Sequence, residues 1–191
     1  MVISIYSTKG GVGKTSLAYS LAKDSNLGYI TNDMSIAIGK YNRAKYYSKN
    51  VPLRDNFLYD FGGFMDKSAD DIALKSDIVF IPVINDANSV MRALQALKKL
   101  KHKEHVYVIA NMIETKKDYE EIKMVIKHHY PTREVLFFRK SKLLKHAMES
   151  GKSVFELMKE SNRAHLYKNS LKDYQSIIGL INNYKENNYE K

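Results

Sequence analysis

Three glycines and two lysines stand close together near the start of the chain, in the run Lys9-Gly-Gly-Val-Gly-Lys-Thr15. The apolar run Val2–Ser7 precedes it and predicts a β-strand, and the helical pattern over Lys14–Lys23 follows it. A strand, a glycine-rich turn and a helix in this order are typical of a phosphate-binding loop, because glycines let backbone N–H groups point into a concavity that binds oxyanions. The sequence therefore predicts a nucleotide site formed by Lys9, Gly10, Gly11, Val12, Gly13, Lys14, Thr15 and Ser16.

Individual side chains of this segment suit the chemistry of a nucleoside triphosphate. Lys14 can reach the β- and γ-phosphates, and the Thr15 hydroxyl can bind Mg²⁺. Asp60 ends the apolar run Phe57-Leu-Tyr-Asp60, and a carboxylate at the end of a strand beside a phosphate loop can hold Mg²⁺ directly or through water. The glycines that follow can give an N–H to the γ-phosphate, for which Gly63 is our candidate. The predicted cofactors are ATP and Mg²⁺.

The remaining chain alternates apolar runs with helical patterns, which is typical of a parallel α/β sheet. We predict an α/β fold with a mostly parallel sheet and helices on both faces, the P-loop NTPase architecture, as a single domain over residues 1–191. The segment Ile36–Asp55 reads as a loop with a short helix, and the tail Lys185–Lys191 as frayed. The predicted strands are Val2–Ser7, Leu27–Thr31, Asn56–Asp60, Asp77–Val83, His105–Asn111 and Arg133–Phe138, and the later helices are Asn88–Leu100, Lys117–His129, Ser141–Ser150 and Arg163–Tyr184.

The chain is basic and has no cysteine. Its 31 Lys and Arg residues against 21 Asp and Glu residues give a net charge of +10, which indicates contact with a polyanion, either nucleic acid or an anionic membrane. The absence of cysteine excludes disulfides and Cys-ligated metals and fits a cytoplasmic location. Basic residues that could follow DNA phosphates without reading bases are Arg139, Lys140, Lys142, Lys145, Lys168 and Lys172.

The motif K-G-G-x-G-K-[ST], matched by Lys9–Thr15, resembles that of the deviant Walker A ATPases, the ParA and MinD family, and most of all a small ParA-type partition protein. The resemblance implies that Lys9 reaches across a dimer to the partner's nucleotide. It implies that Asp33 orients the attacking water, although the chain reads Thr31-Asn32-Asp33-Met34-Ser35 where the family has D-x-D-P-Q. It also implies that Asn111 pairs with the adenine edge.

The same resemblance implies a function in plasmid or chromosome partition. An ATP-dependent homodimer would bind DNA non-specifically in the cytoplasm, on the nucleoid, and a ParB-like or other centromere-binding protein would stimulate slow ATP hydrolysis. Four alternatives stay open: a MinD-like membrane-associated switch, an ATPase that positions a protein cargo, a tyrosine kinase with Tyr184 and Tyr189 as its C-terminal tyrosines, and a metabolic enzyme of the same superfamily. The apolar stripe of the last helix reads as core packing, which makes a membrane partner less favoured.

Overall fold

The computed structural model describes residues 1–61, 67–160, 162 and 164–189. Within these residues the chain forms a seven-stranded sheet in which all paired strands are parallel, in the order β3-β2-β4-β1-β5-β6-β7. The strands are β1 (Val2–Ile5), β2 (Gly28–Thr31), β3 (Ala44–Tyr46), β4 (Phe57–Asp60), β5 (Ile78–Val83), β6 (Val106–Ile113) and β7 (Val135–Arg139). The helices are α1 (Lys14–Asp24), α2 (Ile36–Lys40), α3 (Lys67–Lys75), α4 (Ala87–Lys99), α5 (Lys116–His129), α6 (Leu143–Glu149), α7 (Val154–Glu160) and α8 (Lys168–Tyr189), the last preceded by a 3₁₀ turn, Ala164–Tyr167.

Helices cover both faces of the sheet. Because successive strand residues point to opposite faces, Ile3 and Ile5 of β1 pack with α1, α6 and α8, whereas Val79 and Ile81 of β5 pack with α3, α4 and α5. The central strand β5 is buried along its whole length, as a parallel strand covered on both sides must be. The predicted α/β architecture is therefore confirmed.

The predicted elements recur with end points shifted by a few residues, and the structure adds three. Strand β3 lies in the segment predicted as a loop with a short helix; it has only three residues, and Lys45 and Tyr46 are exposed at the sheet edge, so no apolar run marks it in the sequence. Helix α3 and the seven-residue helix α7 are also additional, because each shows only one or two turns of apolar spacing.

The prediction of a frayed tail is wrong for the described part, because α8 continues to Tyr189. The Tyr184 hydroxyl donates to Asp77 Oδ1 at 3.2 Å, and Lys185 Nζ donates to the Ser25 carbonyl at 2.7 Å. Both contacts attach the end of α8 to the segments that precede β5 and β2, at the N-terminal ends of these strands.

Candidate nucleotide-binding site

The glycine-rich segment forms a loop that is open on one side. It connects β1 to α1, and Gly11 and Gly13 adopt φ values of +76° and +82°, which disfavour any residue with a Cβ. A Cβ added to Gly10 or Gly11 would meet no atom within 4 Å. The loop therefore presents its backbone to free space at the N-terminus of α1, where the N–H groups and the helix dipole attract anions.

The closed side of the loop rests on β6. Asn111 Nδ2 donates to the Val12 carbonyl at 2.7 Å, and its Oδ1 accepts from the backbone N–H of Met112 at 2.9 Å. The strand register shifts between Ala110 and Ile113, and Met112 has a φ of +56°, so a bulge places Asn111 beneath the loop. A Cβ on Gly13 would lie 2.6 Å from Asn111 Nδ2, which explains why this loop position needs glycine.

Lys14 is buried and bonded to its own loop. Its Nζ donates to the Lys9 carbonyl at 2.9 Å. Burial lowers the pKa of Lys14, and the negative charges of Asp60 and Asp33 act in the opposite direction. A buried ammonium held by one carbonyl has donors left for phosphate oxygens.

Asp60 lies at the end of β4 and is 1% exposed. Tyr29 on the adjacent strand β2 donates its hydroxyl to Asp60 Oδ2 at 2.6 Å, whereas Oδ1 accepts no well-formed hydrogen bond from the described residues. Burial raises the pKa of Asp60, and the nearby Tyr29 and Thr15 hydroxyls and the Lys14 charge oppose that rise. A buried carboxylate oxygen without a donor, close to a threonine hydroxyl, suits a divalent cation.

A cavity of about 500 Å³ extends from the loop along the ends of β6 and β7. Its lining combines residues of the loop and Asp33 with apolar side chains and three further basic side chains. The volume falls in the range of small-molecule sites. The lining residues are Gly10, Gly11, Gly13, Lys14, Thr15, Ser16, Asp33, Asn111, Met112, Phe138, Arg139, Ser141, Lys142, Leu144, Lys145 and Met148.

The structure thus brings together most of the nucleotide-site residues predicted from sequence. Lys9 and Val12 belong to the loop without lining the cavity. Asp60 is buried at the end of β4 and does not line the cavity either, and Gly63 lies outside the described residues. Asp33 is exposed at the cavity wall. Asn111 also lines the cavity, but both ends of its amide already form hydrogen bonds within the protein, so adenine pairing would require an exchange of these bonds.

The basic residues predicted to contact DNA do not form one separate surface. Arg139, Lys142 and Lys145 line the cavity beside the glycine loop. Arg139 forms a two-pronged ion pair with Asp173 of α8, at 2.6 and 3.0 Å, and Lys140 pairs with Glu114 at 2.6 Å. The other two predicted contacts, Lys168 and Lys172, are exposed on the first turns of α8.

Sequence reasoning missed Tyr29 and the apolar wall of the cavity. The apolar side chains Phe138, Leu144 and Met148 have the spacing of ordinary core residues, and nothing local distinguishes them. Tyr29 could be placed on the same sheet face as Asp60 only once β2 and β4 were known to be neighbours.

No family model and no curated protein matches the chain. Solved structures do match. Apo McdA from Cyanothece is 16% identical, with 91% of this chain and 96% of that chain covered and a TM-score of 0.66. A protein of Borrelia burgdorferi B31 described as a plasmid partition protein, bound to AMPPNP, is 15% identical, with coverages of 94% and 97% and a TM-score of 0.62. The septum site-determining protein MinD from Pyrococcus horikoshii OT3, complexed with Mg-ADP, is 15% identical, with coverages of 96% and 98% and a TM-score of 0.61.

These similarities extend over almost the whole of each chain. At this level of identity they show the fold, and the fold is that of the ParA/MinD-type P-loop ATPases.

Proposed function

We propose that this protein is a Mg²⁺-dependent ATPase of the ParA/MinD type. The observation that carries the proposal is the juxtaposition of an open glycine loop, a buried lysine within it, and a buried aspartate, one oxygen of which accepts no well-formed hydrogen bond from the described residues. Two of the similar structures hold AMPPNP and Mg-ADP, which supports an adenine nucleotide as ligand.

In the proposed site, Thr15 and Asp60 hold Mg²⁺, which supplies positive charge against the β- and γ-phosphates when it is bound. The backbone N–H groups of Gly10 and Gly11 would donate hydrogen bonds to phosphate oxygens. Lys14 exchanges the Lys9 carbonyl for the β- and γ-phosphates, so its buried charge gains anionic partners. Catalysis then rests on positioning and charge neutralisation rather than on a covalent intermediate.

Asp33 is the residue we assign to positioning the attacking water. Its place in the cavity lining, close enough to Lys14 for its charge to act on the lysine's pKa, supports this role. We assign Lys9 to contact with the nucleotide bound by a second subunit, because it does not line the cavity of its own subunit. ATP would thus close a homodimer through the loop face.

Phosphate release with and without Mg²⁺ tests the ATPase assignment. We expect slow, Mg²⁺-dependent turnover by the wild type and none by Lys14→Ala. The control is Lys98→Ala, which changes an exposed lysine at the far end of α4. Turnover that is equal in wild type and Lys14→Ala would contradict the proposal.

We further propose that the protein acts in DNA segregation. In this proposal the ATP-bound dimer binds DNA non-specifically, and a ParB-like partner stimulates ATP hydrolysis. The net charge of +10 favours binding to a polyanion such as DNA. Lys168 and Lys172 are the most suitable of the candidate DNA contacts to test, because they are exposed and do not line the proposed nucleotide cavity. A dimer doubles the charge that faces the duplex, so binding should require ATP and weaken steeply with salt.

Filter binding of non-specific duplex at several salt concentrations tests this step. We expect affinity with ATP and little with ADP, and a loss of affinity in the double variant Lys168→Glu, Lys172→Glu. The matched control is Lys98→Glu, Lys101→Glu, which reverses the same charge at the end of α4 and in the following turn; α4 packs on the opposite face of the sheet from α8. Equal loss in both double variants would indicate a net-charge effect and contradict a DNA surface on α8.

A protein cargo is the second candidate. It is favoured by the finding that Arg139, Lys142 and Lys145 face the nucleotide cavity, which leaves less free basic surface than the sequence implied. Absence of DNA binding in either nucleotide state at low salt would support it. A lipid surface is less favoured, since Tyr174, Ile177, Ile178 and Ile181 of α8 are buried in the core. Among the described helices, none has the length and apolar character needed to cross a bilayer.

A further inference from the structure

Two adjacent parallel strands place a tyrosine and an aspartate on the same face of the sheet. β2 pairs with β4 in the register Tyr29↔Leu58 and Thr31↔Asp60. Leu58 and Asp60 are two residues apart and therefore point to the same side, as does Tyr29 beside Leu58. The tyrosine ring reaches diagonally along this face, and its hydroxyl donates to Asp60 Oδ2 at 2.6 Å.

The two oxygens of the Asp60 carboxylate therefore differ in their hydrogen bonding. Oδ2 is held by Tyr29, whereas Oδ1 is buried without a well-formed hydrogen bond from the described residues, near the Thr15 hydroxyl. Tyr29 and Asp60 are 0% and 1% exposed, so water does not compete for this contact. A donor on one oxygen fixes the rotation of the carboxylate and leaves the other oxygen as the acceptor for a cation or its water.

We propose that Tyr29 is a positioning residue for Mg²⁺, which orients Asp60 so that Oδ1 faces the cation beside Thr15. The proposal rests on the ATPase assignment above. Groups that hydrogen-bond a metal-binding carboxylate fix its orientation, and their loss typically lowers metal affinity by about 10- to 100-fold.

The test uses Tyr29→Phe, which removes only the hydroxyl. The readout is the affinity for a fluorescent ADP analogue, measured without Mg²⁺ and across a Mg²⁺ titration. We expect unchanged affinity without Mg²⁺, and a Mg²⁺ midpoint raised by about 10-fold or more. Tyr29→Leu, a second replacement without a hydroxyl, should shift the midpoint in the same direction.

Tyr174→Phe is the matched control. Tyr174 is also 0% exposed and also donates to a carboxylate, Asp24 Oδ2 at 2.8 Å, but Asp24 is the last residue of α1, at the end of that helix remote from the glycine loop. Its Mg²⁺ midpoint should equal that of the wild type even if its melting temperature falls.

A double-mutant cycle with Asp60→Asn shows whether the effect passes through Asp60. In the Asp60→Asn background, Tyr29→Phe should produce no further Mg²⁺ shift, and a full additional shift would overturn the proposal. An unchanged midpoint in folded Tyr29→Phe, or failure of both Tyr29 variants to fold, would also overturn it, since Tyr29 would then serve the fold alone. Absence of Mg²⁺-dependent nucleotide binding in the wild type would instead contradict the ATPase assignment.

Discussion

Alanine substitutions at the three loop glycines should differ in a graded way in their cost to the free energy of unfolding. Gly10 has an ordinary φ and free space around a Cβ, so Gly10→Ala should change stability by less than about 0.5 kcal/mol. Gly11 has a φ of +76° with free space, so Gly11→Ala should cost only the left-handed backbone strain, about 1–2 kcal/mol.

Gly13→Ala should cost more, because its φ of +82° is combined with a clash. The new Cβ would lie 2.6 Å from Asn111 Nδ2, which is the atom that bonds the Val12 carbonyl. Displacing this amide leaves buried polar groups unpaired at a cost of about 1–3 kcal/mol, in addition to the backbone strain of about 1–2 kcal/mol. The sum is a loss of about 2–5 kcal/mol.

Urea unfolding of the nucleotide-free protein, followed by far-UV circular dichroism, measures the three variants on one scale. The order of stability should be Gly10→Ala, then Gly11→Ala, then Gly13→Ala. Equal losses at Gly11 and Gly13 would refute the role of Asn111 as the support of the loop. A large loss at Gly10 would refute the open geometry of the loop face.

Three further variants address the acidic residues. Asp33→Ala should bind ATP like the wild type and lower the phosphate-release rate at least about 10-fold, as loss of a water-positioning group does; an unchanged rate would assign the water to another residue. Asp60→Asn should unfold at higher urea than the wild type at neutral pH without nucleotide. The pKa of Asp60 is raised in the folded state, so the charged form weakens the fold as pH rises through the carboxylate range, and the gain from Asn should disappear in acid; a gain that persists in acid would contradict this reasoning. Asp173→Asn should lower the free energy of unfolding by about 1 kcal/mol, because it weakens the ion pair that joins β7 to α8 through Arg139; a urea midpoint equal to that of the wild type would show that the pair contributes nothing.

The loop and the α/β architecture could be predicted from sequence because their causes are local. Strand, glycine turn and helix follow one another over Val2–Lys23, and alternating apolar runs define the sheet. Asp60 could also be identified, since it ends a short apolar run. These features need no knowledge of which strands are neighbours.

The rest depends on strand order and on long-range contacts. Tyr29 meets Asp60 only because β2 lies beside β4, and Asn111 meets Val12 only because a bulge at the end of β6 turns its amide under the loop. The same strand order brings Arg139, Lys142 and Lys145 to the nucleotide cavity, although they are distant from the loop in sequence. Charge counting could not distinguish basic residues that line this cavity from basic residues on the outer surface.

Calorimetric titration of ATP into the wild type and Lys14→Ala, each with and without Mg²⁺, tests the central claim most directly. The structure predicts one ATP bound per chain in the wild type, with affinity increased by Mg²⁺, and no measurable binding by a Lys14→Ala variant that remains folded. Absence of ATP binding by the wild type, or equal affinity in the two proteins, would contradict the assignment of residues 9–16 as a nucleotide phosphate site.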